Sequence, residues 1–260
     1  MRLWFIKGEL VLIELSESER IDDLQLNGLK IIQDTTSFCF GVDAVLLSDF
    51  CDVKKNTKVL DIGTGTGIIP ILLSAKSKAS SIIGLEIQPK MAQMAARSVE
   101  MNNLSDRLSI IEGDIKKYME YFKKASFDVV VSNPPYTNKG GGLLNALDSK
   151  TISRHEVLCS LEDIVSAAAD LLVPGGQLAM VHRPERLVDI VCAMRQYGIE
   201  PKYIRFVHPK PYKTPNMILI KGTRGGGREL KVMDPLYVYD DNGEYTDEIY
   251  KIYGKEKGMQ

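Results

Sequence analysis

Lys58-Val-Leu-Asp-Ile-Gly-Thr-Gly-Thr-Gly67 runs from a short apolar, β-branched stretch into three glycines spaced two apart, and Ile68–Ser77 follows with helical periodicity. That order of residues encodes a buried strand, a tight turn and a helix. The glycines let the chain turn sharply and bring its backbone close to a ligand where a Cβ would collide. The spacing is G-x-G-x-G after an acid, Asp61, and not the G-x-G-x-x-G that seats a pyrophosphate. A carboxylate at that spot repels a pyrophosphate but can hold the ammonium of an amino-acid-like ligand. The turn therefore suits S-adenosylmethionine better than a nicotinamide dinucleotide.

Outward from this turn, short β-branched runs alternate with helix-period stretches. Strands are expected near Lys58–Ile62, Ser81–Glu86, Leu108–Ile111, Phe127–Ser132, Gln177–His182, Lys202–His208 and Met217–Gly222. Helices are expected over Ile68–Ser77, Pro89–Asn102, Ile115–Lys123, Leu161–Leu172 and Glu185–Tyr197. Nearly all-apolar runs such as Asp128-Val-Val-Val fit parallel strands covered on both faces. The expectation is a seven-stranded, mostly parallel, doubly wound α/β sheet whose ligands bind at the carboxyl ends of the strands. Residues 1–53 form an N-terminal hairpin and lid segment, in which Asp22-Asp-Leu-Gln-Leu-Asn-Gly-Leu-Lys30 reads as strand, Asn-Gly turn and strand. Residues 54–232 form the main domain and 233–260 a tail without an assignable motif.

With this fold, residues just past each strand become the candidates. Asp61, Gly63, Gly65 and Gly67 follow the first core strand. Glu86 ends the second, nineteen residues after Gly67, where a carboxylate can accept from both hydroxyls of a ribose. Asp114 follows the third and can accept from an adenine amino group, with Ile87 and Ile115 as apolar walls. Each of these acids alone reads equally well as a cap for the helix that follows. Three of them at successive strand ends, together with the glycines, read as an adenosine-bearing cofactor site.

Asn133-Pro-Pro-Tyr136 follows the fourth strand. In isolation it is a proline-rich turn. At this edge, two prolines fix φ and remove donors, which leaves the Pro134 carbonyl and the Asn133 side chain as rigid acceptors. An amino group conjugated to a ring is a poor nucleophile because its lone pair is delocalised. Two acceptors on its hydrogens favour pyramidal nitrogen and aim the lone pair at an incoming methyl. Tyr136 supplies a flat face on which an extruded base can stack. Asn133, Pro134, Pro135 and Tyr136 are the candidate catalytic residues, and Asn133 also borders the cofactor.

Composition bounds the rest. The 260 residues are 44% hydrophobic and 26% charged, which describes a globular chain able to bury one large core. Cys39, Cys51, Cys159 and Cys192 are scattered without a C-x-x-C pair, so neither a disulfide framework nor a structural metal is expected. No apolar run is long enough to span a bilayer and no cleavage site follows the N-terminus, so a cytoplasmic protein is expected. Net charge is −1, but Lys202 to Lys231 holds eight basic residues against the single acid Glu229. That stretch is either a phosphate-binding face or a solvated one that balances an acidic core. Neither G-x-S-x-G nor G-x-x-x-x-G-K-[ST] occurs, which sets aside acyl and phosphoryl transfer on those motifs.

Asp61–Gly67, Glu86, Asp114 and Asn133–Tyr136 together resemble the class I methyltransferases that act on amino nitrogens of DNA, RNA or release-factor glutamine. The resemblance covers about Leu60 to Gly222. A narrower one spans nearly the whole chain through Gln33-Asp-Thr-Thr-Ser-Phe-Cys-Phe-Gly-Val-Asp-Ala-Val-Leu-Leu47, Arg154-His-Glu156 and Asn216-Met-Ile-Leu-Ile-Lys-Gly222. It is to the bacterial tRNA (adenine-N6) methyltransferases that modify adenine-37 of a valine tRNA. The resemblance implies an S-adenosylmethionine-dependent, monomeric enzyme with a tRNA substrate and no metal. It places Phe40, Gly41 and Asp43 beside the cofactor entrance, with Phe40 covering it; a helix start with Asp43 as a cap residue is the equally weighted reading. Arg154, His155, Lys210, Lys213, Lys221, Arg224 and Arg228 are the candidate substrate contacts. Departures are the triple glycine Gly140–Gly142 after Tyr136 and the motif-free tail. The alternatives are glutamine methylation of a protein such as a release factor, methylation of adenine in rRNA or DNA, and binding of RNA or S-adenosylmethionine without turnover.

Overall fold

The strand Lys58–Ile62 lies at the centre of a large sheet because both of its faces are covered. In the computed structural model, which describes residues 2–6, 9–36, 41–134 and 159–255, Val59 packs into one apolar cluster and its neighbour Leu60 into a second. Val129, Val130 and Val131 alternate between the same two clusters. Period-two alternation into two cores is what makes such strands apolar throughout.

Numbered along the chain, the strands are β1 Arg2–Ile6, β2 Glu9–Ile13, β3 Glu19–Asp23, β4 Lys30–Asp34, β5 Lys58–Ile62, β6 Ser81–Glu86 and β7 Leu108–Glu112. They continue as β8 Phe127–Ser132, β9 Leu172–His182, β10 Ile199–His208, β11 Met217–Arg224, β12 Lys231–Val232 and β13 Leu236–Tyr237. The helices are α1 Val42–Phe50, α2 Ile68–Lys76, α3 Pro89–Met101, α4 Leu161–Leu171, α5 Leu187–Gln196 and α6 Asp247–Ile252. The large sheet runs β12-β10-β11-β9-β8-β5-β6-β7, with β13 also on β10. Strands β5 to β9 pair in parallel, and β11 runs against both β9 and β10. α1 and α2 cover one face, α4 and α5 the other.

The sheet among the described residues therefore has nine strands where the sequence predicts seven. The seven are all present. The two additions are two residues each, too short for a periodic signal, and they cover β10, which would otherwise present an unpaired edge. The expected helix Ile115–Lys123 is a 3₁₀ helix over Ile115–Glu120 that opens on an i→i+3 bond, Lys117 N–H to the Asp114 carbonyl at 2.8 Å.

The Asn-Gly hairpin is β3–β4, and Asn27 (φ 52°) and Gly28 (φ 70°) supply the left-handed pair that such a turn needs. β1 and β2 form a second antiparallel pair. β4 is fastened to α3: Ile32 N–H donates to Ser98 Oγ at 2.9 Å, and the Asn102 side chain bonds both backbone groups of Lys30. In the tail, Ile249 and Ile252 of α6 join the core that α1 borders.

Candidate active site

Parallel strands β5, β6, β7 and β8 bring their carboxyl ends to one edge of the sheet. Ile62 pairs with Ser132, so the next residues, Gly63 and Asn133, leave the sheet side by side. Ser132 Oγ reinforces this junction by donating to the Ile62 carbonyl at 2.9 Å.

Gly63, Gly65 and Gly67 all have positive φ, 73°, 57° and 87°, where a side chain would be strained. A Cβ built on Gly63 or Gly65 meets nothing within 4 Å, so their backbone borders open space. At Gly67 a Cβ would stand 3.1 Å from that of Ala95, so this glycine serves the packing of α2 on α3. The loop is buttressed from below by Gly63 and Thr64 N–H donating to the Leu85 carbonyl at 2.9 and 3.1 Å. From the side, Gln33 of β4 donates to Thr66 Oγ1 at 2.9 Å, a buried contact that ties the hairpin to the loop. Gly84 leaves room for the loop: a Cβ there would lie 2.8 Å from Thr64 Oγ1 and 2.9 Å from Ile110 Cδ1. Gly84→Ala is accordingly expected to cost roughly 1–3 kcal/mol, measured as a lowered midpoint in thermal or urea unfolding.

Asp61 is fully buried, and neither carboxylate oxygen has a hydrogen-bond partner among the described residues. Its pKa is pushed up to about 7: desolvation raises it most, the Glu86 charge adds to the rise, and the nearby Thr64 hydroxyl, which is outside hydrogen-bonding geometry, offsets part of it. A buried acid without a donor is costly, and it suits a site that a cationic group fills. Glu86 is also buried, and each oxygen takes one backbone donor: Oε2 from Gly65 N–H at 2.8 Å and Oε1 from Gln88 N–H at 2.9 Å. Oε1 also accepts from Gln88 Nε2 at 3.4 Å, so the open second lone pair is on Oε2. Asp114 caps the 3₁₀ helix by accepting from Lys116 N–H at 2.9 Å, so the capping role is realised here. Ile115 is buried and Ile87 half-buried beside these acids.

Asn133 is half-buried and donates from Nδ2 to Asp43 Oδ2 at 3.0 Å. Asp43 sits in the first turn of α1, so the helix start is as expected, but the N-cap is Gly41 and Asp43 does not cap the helix; it is linked to Asn133 instead. His182 ends β9 two places beyond Met180, the partner of Ser132. Its buried imidazole accepts from Arg183 N–H at 2.8 Å, and burial with the charges of Arg186 and Arg183 holds its pKa down to about 4, so the ring is neutral. Phe40, Pro135, Tyr136, Arg154 and His155 lie outside the described residues. Gln33–Thr66, the Asp43–Asn133 bond and His182 escape the sequence reading, because they join residues far apart in the chain or carry no local motif.

The basic stretch divides. Lys210 and Lys213 lie on the turn between β10 and β11 at the same sheet edge as Asn133, and Arg228 is exposed. Lys221 does not belong with them, and the assignment of this residue as a substrate contact is corrected. It is 8% exposed, pairs with Asp52 at 3.2 Å and the Phe50 carbonyl at 3.3 Å, and lies over the rings of Phe50 and Tyr203. Arg224 is likewise drawn inward, donating to the Leu172 carbonyl. A cavity of about 260 Å³ lined by Leu24, Leu72, Tyr245, Tyr250 and Tyr253 contains none of the site residues. No group of His, Cys, Asp and Glu among the described residues could hold a metal, and no described helix is long and apolar enough to cross a membrane.

Comparison with known proteins extends this geometry. A protein of Porphyromonas gingivalis described as tRNA1(Val) (adenine(37)-N6)-methyltransferase is 33% identical over 221 residues, covering 82% of this chain and 86% of that one. A protein of Bacteroides fragilis with the same description is 30% identical over 231 residues, or 88% and 94% of the two chains. Among solved structures, a predicted O-methyltransferase from Agrobacterium tumefaciens superposes with a TM-score of 0.67 at 22% identity, covering 82% of this chain and 95% of that one. TrmN from Thermus thermophilus does so at 0.52 and 19%, over 70% and 48%. At those identities the structures establish the fold. The sequence model of the methyltransferase small domain matches residues 41–190, from the Gly41 that precedes α1 through the glycine loop and Asn133 into α5. That match spans more than half of the chain, and the chain belongs to the methyltransferase small domain family.

Proposed function

We propose that the protein uses S-adenosylmethionine to methylate the exocyclic N6 of an adenine in tRNA, with adenine-37 of a valine tRNA, the position in its relatives' descriptions, as the specific target. The carrying observation is the side-by-side exit of Gly63 and Asn133 from the sheet, with a donorless buried Asp61 on one side and an oriented amide on the other.

The residues present fit this cofactor. Asp61 lacks a partner that an α-ammonium supplies, and the backbone at Gly63 and Gly65 faces open space. Glu86 Oε2 has a lone pair for a ribose hydroxyl, Asp114 one for an adenine amino group, and Ile87 and Ile115 supply apolar walls. Once bound, the cofactor supplies an electrophilic methyl group on a sulfonium. The chain's part is to seat the acceptor nitrogen: the Asn133 amide oxygen and the Pro134 carbonyl accept its two hydrogens and direct its lone pair. No strong base is required, since the nitrogen's protons become acidic as its new bond forms and one leaves afterwards. Tyr136 offers a stacking face for the extruded base.

Lys210 and Lys213, at the edge that carries Asn133, are the cations proposed to meet RNA phosphate; Arg228 follows β11 at the opposite edge, beside Gly198 and Lys202. Lys210→Ala/Lys213→Ala is expected to weaken tRNA binding and to lower the slope of log K against log salt by about 2, measured by filter binding across a salt series, with S-adenosylmethionine affinity unaltered.

The test of substrate class is transfer of labelled methyl to tRNA from a strain lacking this gene, with total protein offered in parallel. Label in the tRNA supports the proposal. Label in protein alone moves the enzyme to glutamine methylation, where a carboxamide nitrogen poses the same lone-pair problem.

A further inference from the structure

We infer that Asp43 is a positioning residue for methyl transfer, whose carboxylate fixes which end of the Asn133 side-chain amide faces the acceptor nitrogen. This rests on the reading of Asn133 as the acceptor of amine hydrogens. It assigns a task to a residue ninety positions away in the chain.

A terminal amide can turn over about its last bond into a nearly isosteric orientation, with nitrogen and oxygen exchanged. In one orientation Asn133 offers the acceptor amine an oxygen; in the other it offers two N–H donors, which oppose the chemistry. Asp43 decides between them. It is 6% exposed, and each of its oxygens meets a separate donor: Oδ1 accepts from Ala44 N–H at 2.9 Å and Oδ2 from Asn133 Nδ2 at 3.0 Å. An ionised carboxylate only accepts, so it holds the NH2 end of Asn133 and turns the oxygen away from itself. The same buried anion polarises the amide, which strengthens its oxygen as an acceptor while positive charge develops on the nitrogen being methylated.

Gly41 shows that the surroundings are built for this carboxylate. Its φ of −106° and ψ of −176° are open to any residue, so backbone conformation does not demand glycine there. Space does: a Cβ on Gly41 would stand 2.9 Å from Asp43 Oδ1. The residue before α1 has no side chain, and the carboxylate occupies the room this leaves.

Asp43→Asn keeps the shape and removes one acceptor. Two donors, Ala44 N–H and the Asn133 amide, then compete for a single oxygen. Either the helix-start donor is left facing an NH2 group, or Asn133 turns over. The reciprocal exchange Asp43→Asn/Asn133→Asp restores both of these contacts. The amide now on α1 accepts from Ala44 N–H through its oxygen and donates its NH2 to one oxygen of the carboxylate now at the end of β8. The other oxygen of that carboxylate remains an acceptor for the amine.

The experiment measures kcat, KM for the acceptor, S-adenosylmethionine affinity by calorimetry and the unfolding midpoint for wild type, both single variants and the exchange. The acceptor is whichever one the wild-type enzyme labels, tRNA or protein, so an error in substrate class does not disturb the comparison. Asp43→Asn is expected to lower kcat about 100-fold with cofactor affinity within about threefold of wild type, and the exchange to recover at least about tenfold over either single variant. Recovery of kcat at unaltered cofactor affinity and unfolding midpoint is the decisive readout, because a merely structural pair would show its coupling in stability and cofactor binding as well. Wild-type kcat in Asp43→Asn, an exchange no better than the worse single variant, or loss of cofactor affinity in step with kcat would each overturn the inference. Wild-type transfer to neither acceptor would overturn it together with the reading of Asn133.

Discussion

Asn133→Ala is expected to lower the rate of methyl transfer by a factor on the order of 10² to 10³ while S-adenosylmethionine still binds within about threefold of its wild-type affinity. The asymmetry follows from where the residue stands. Asp61, Gly63, Gly65 and Glu86, which form the proposed cofactor pocket, are held by β5, β6 and the Leu85 carbonyl, and none of these contacts passes through Asn133. What the substitution removes is the proposed acceptor oxygen, on an amide whose Nδ2 donates to Asp43. Single-turnover rates and calorimetric titration separate the two effects. Full turnover in this variant would show that nitrogen activation lies elsewhere.

Asp61→Asn is expected to move stability and function in opposite directions. The wild-type carboxyl is buried without a donor, and its pKa is pushed up to about 7 by desolvation first and by the Glu86 charge second. An acid whose folded pKa is raised binds more protons folded than unfolded, so the cofactor-free protein loses stability as pH rises from about 4 to about 7. The amide removes that penalty. Cofactor-free Asp61→Asn should therefore unfold at a higher temperature than wild type at pH 8, and the difference should shrink toward pH 5. Cofactor affinity should fall about 30-fold or more, because the ammonium loses a desolvated charged partner. A variant that bound S-adenosylmethionine normally would remove Asp61 from the pocket.

The parts of this molecule that can be read from sequence are those whose cause is local. β5, β6 and β8 begin and end where the apolar runs do, and α2 and α3 end within one residue of the expected positions, because Gly67 and Pro89 mark their starts. The candidate acids at the strand ends follow from topology, since parallel strands must present their carboxyl ends on one edge. What could not be read depends on distant partners. Lys221 counts as a surface cation in a charge tally, yet it lies on a strand covered on both faces and its ammonium reaches Asp52 and two aromatic rings. The bond from Asn133 to Asp43 and that from Gln33 to Thr66 are made by folding alone. β12 and β13 carry no pattern of their own; they are strands because β10 offers them an edge.

The arrangement also explains why the N-terminal hairpin belongs with the chemistry. β4 delivers Gln33 to the glycine loop and anchors on α3 through Ile32 and Lys30, so the loop is held from two sides before any ligand arrives. A loop held in advance spends less of its binding free energy on ordering.

The most direct measurement is nucleoside mass spectrometry of tRNA, taken from a strain lacking this gene and incubated with S-adenosylmethionine and either wild-type protein or Asn133→Ala. The proposed function predicts that N6-methyladenosine accumulates with wild type and stays at background with the variant. A different methylated nucleoside, or equal N6-methyladenosine with both proteins, would contradict it.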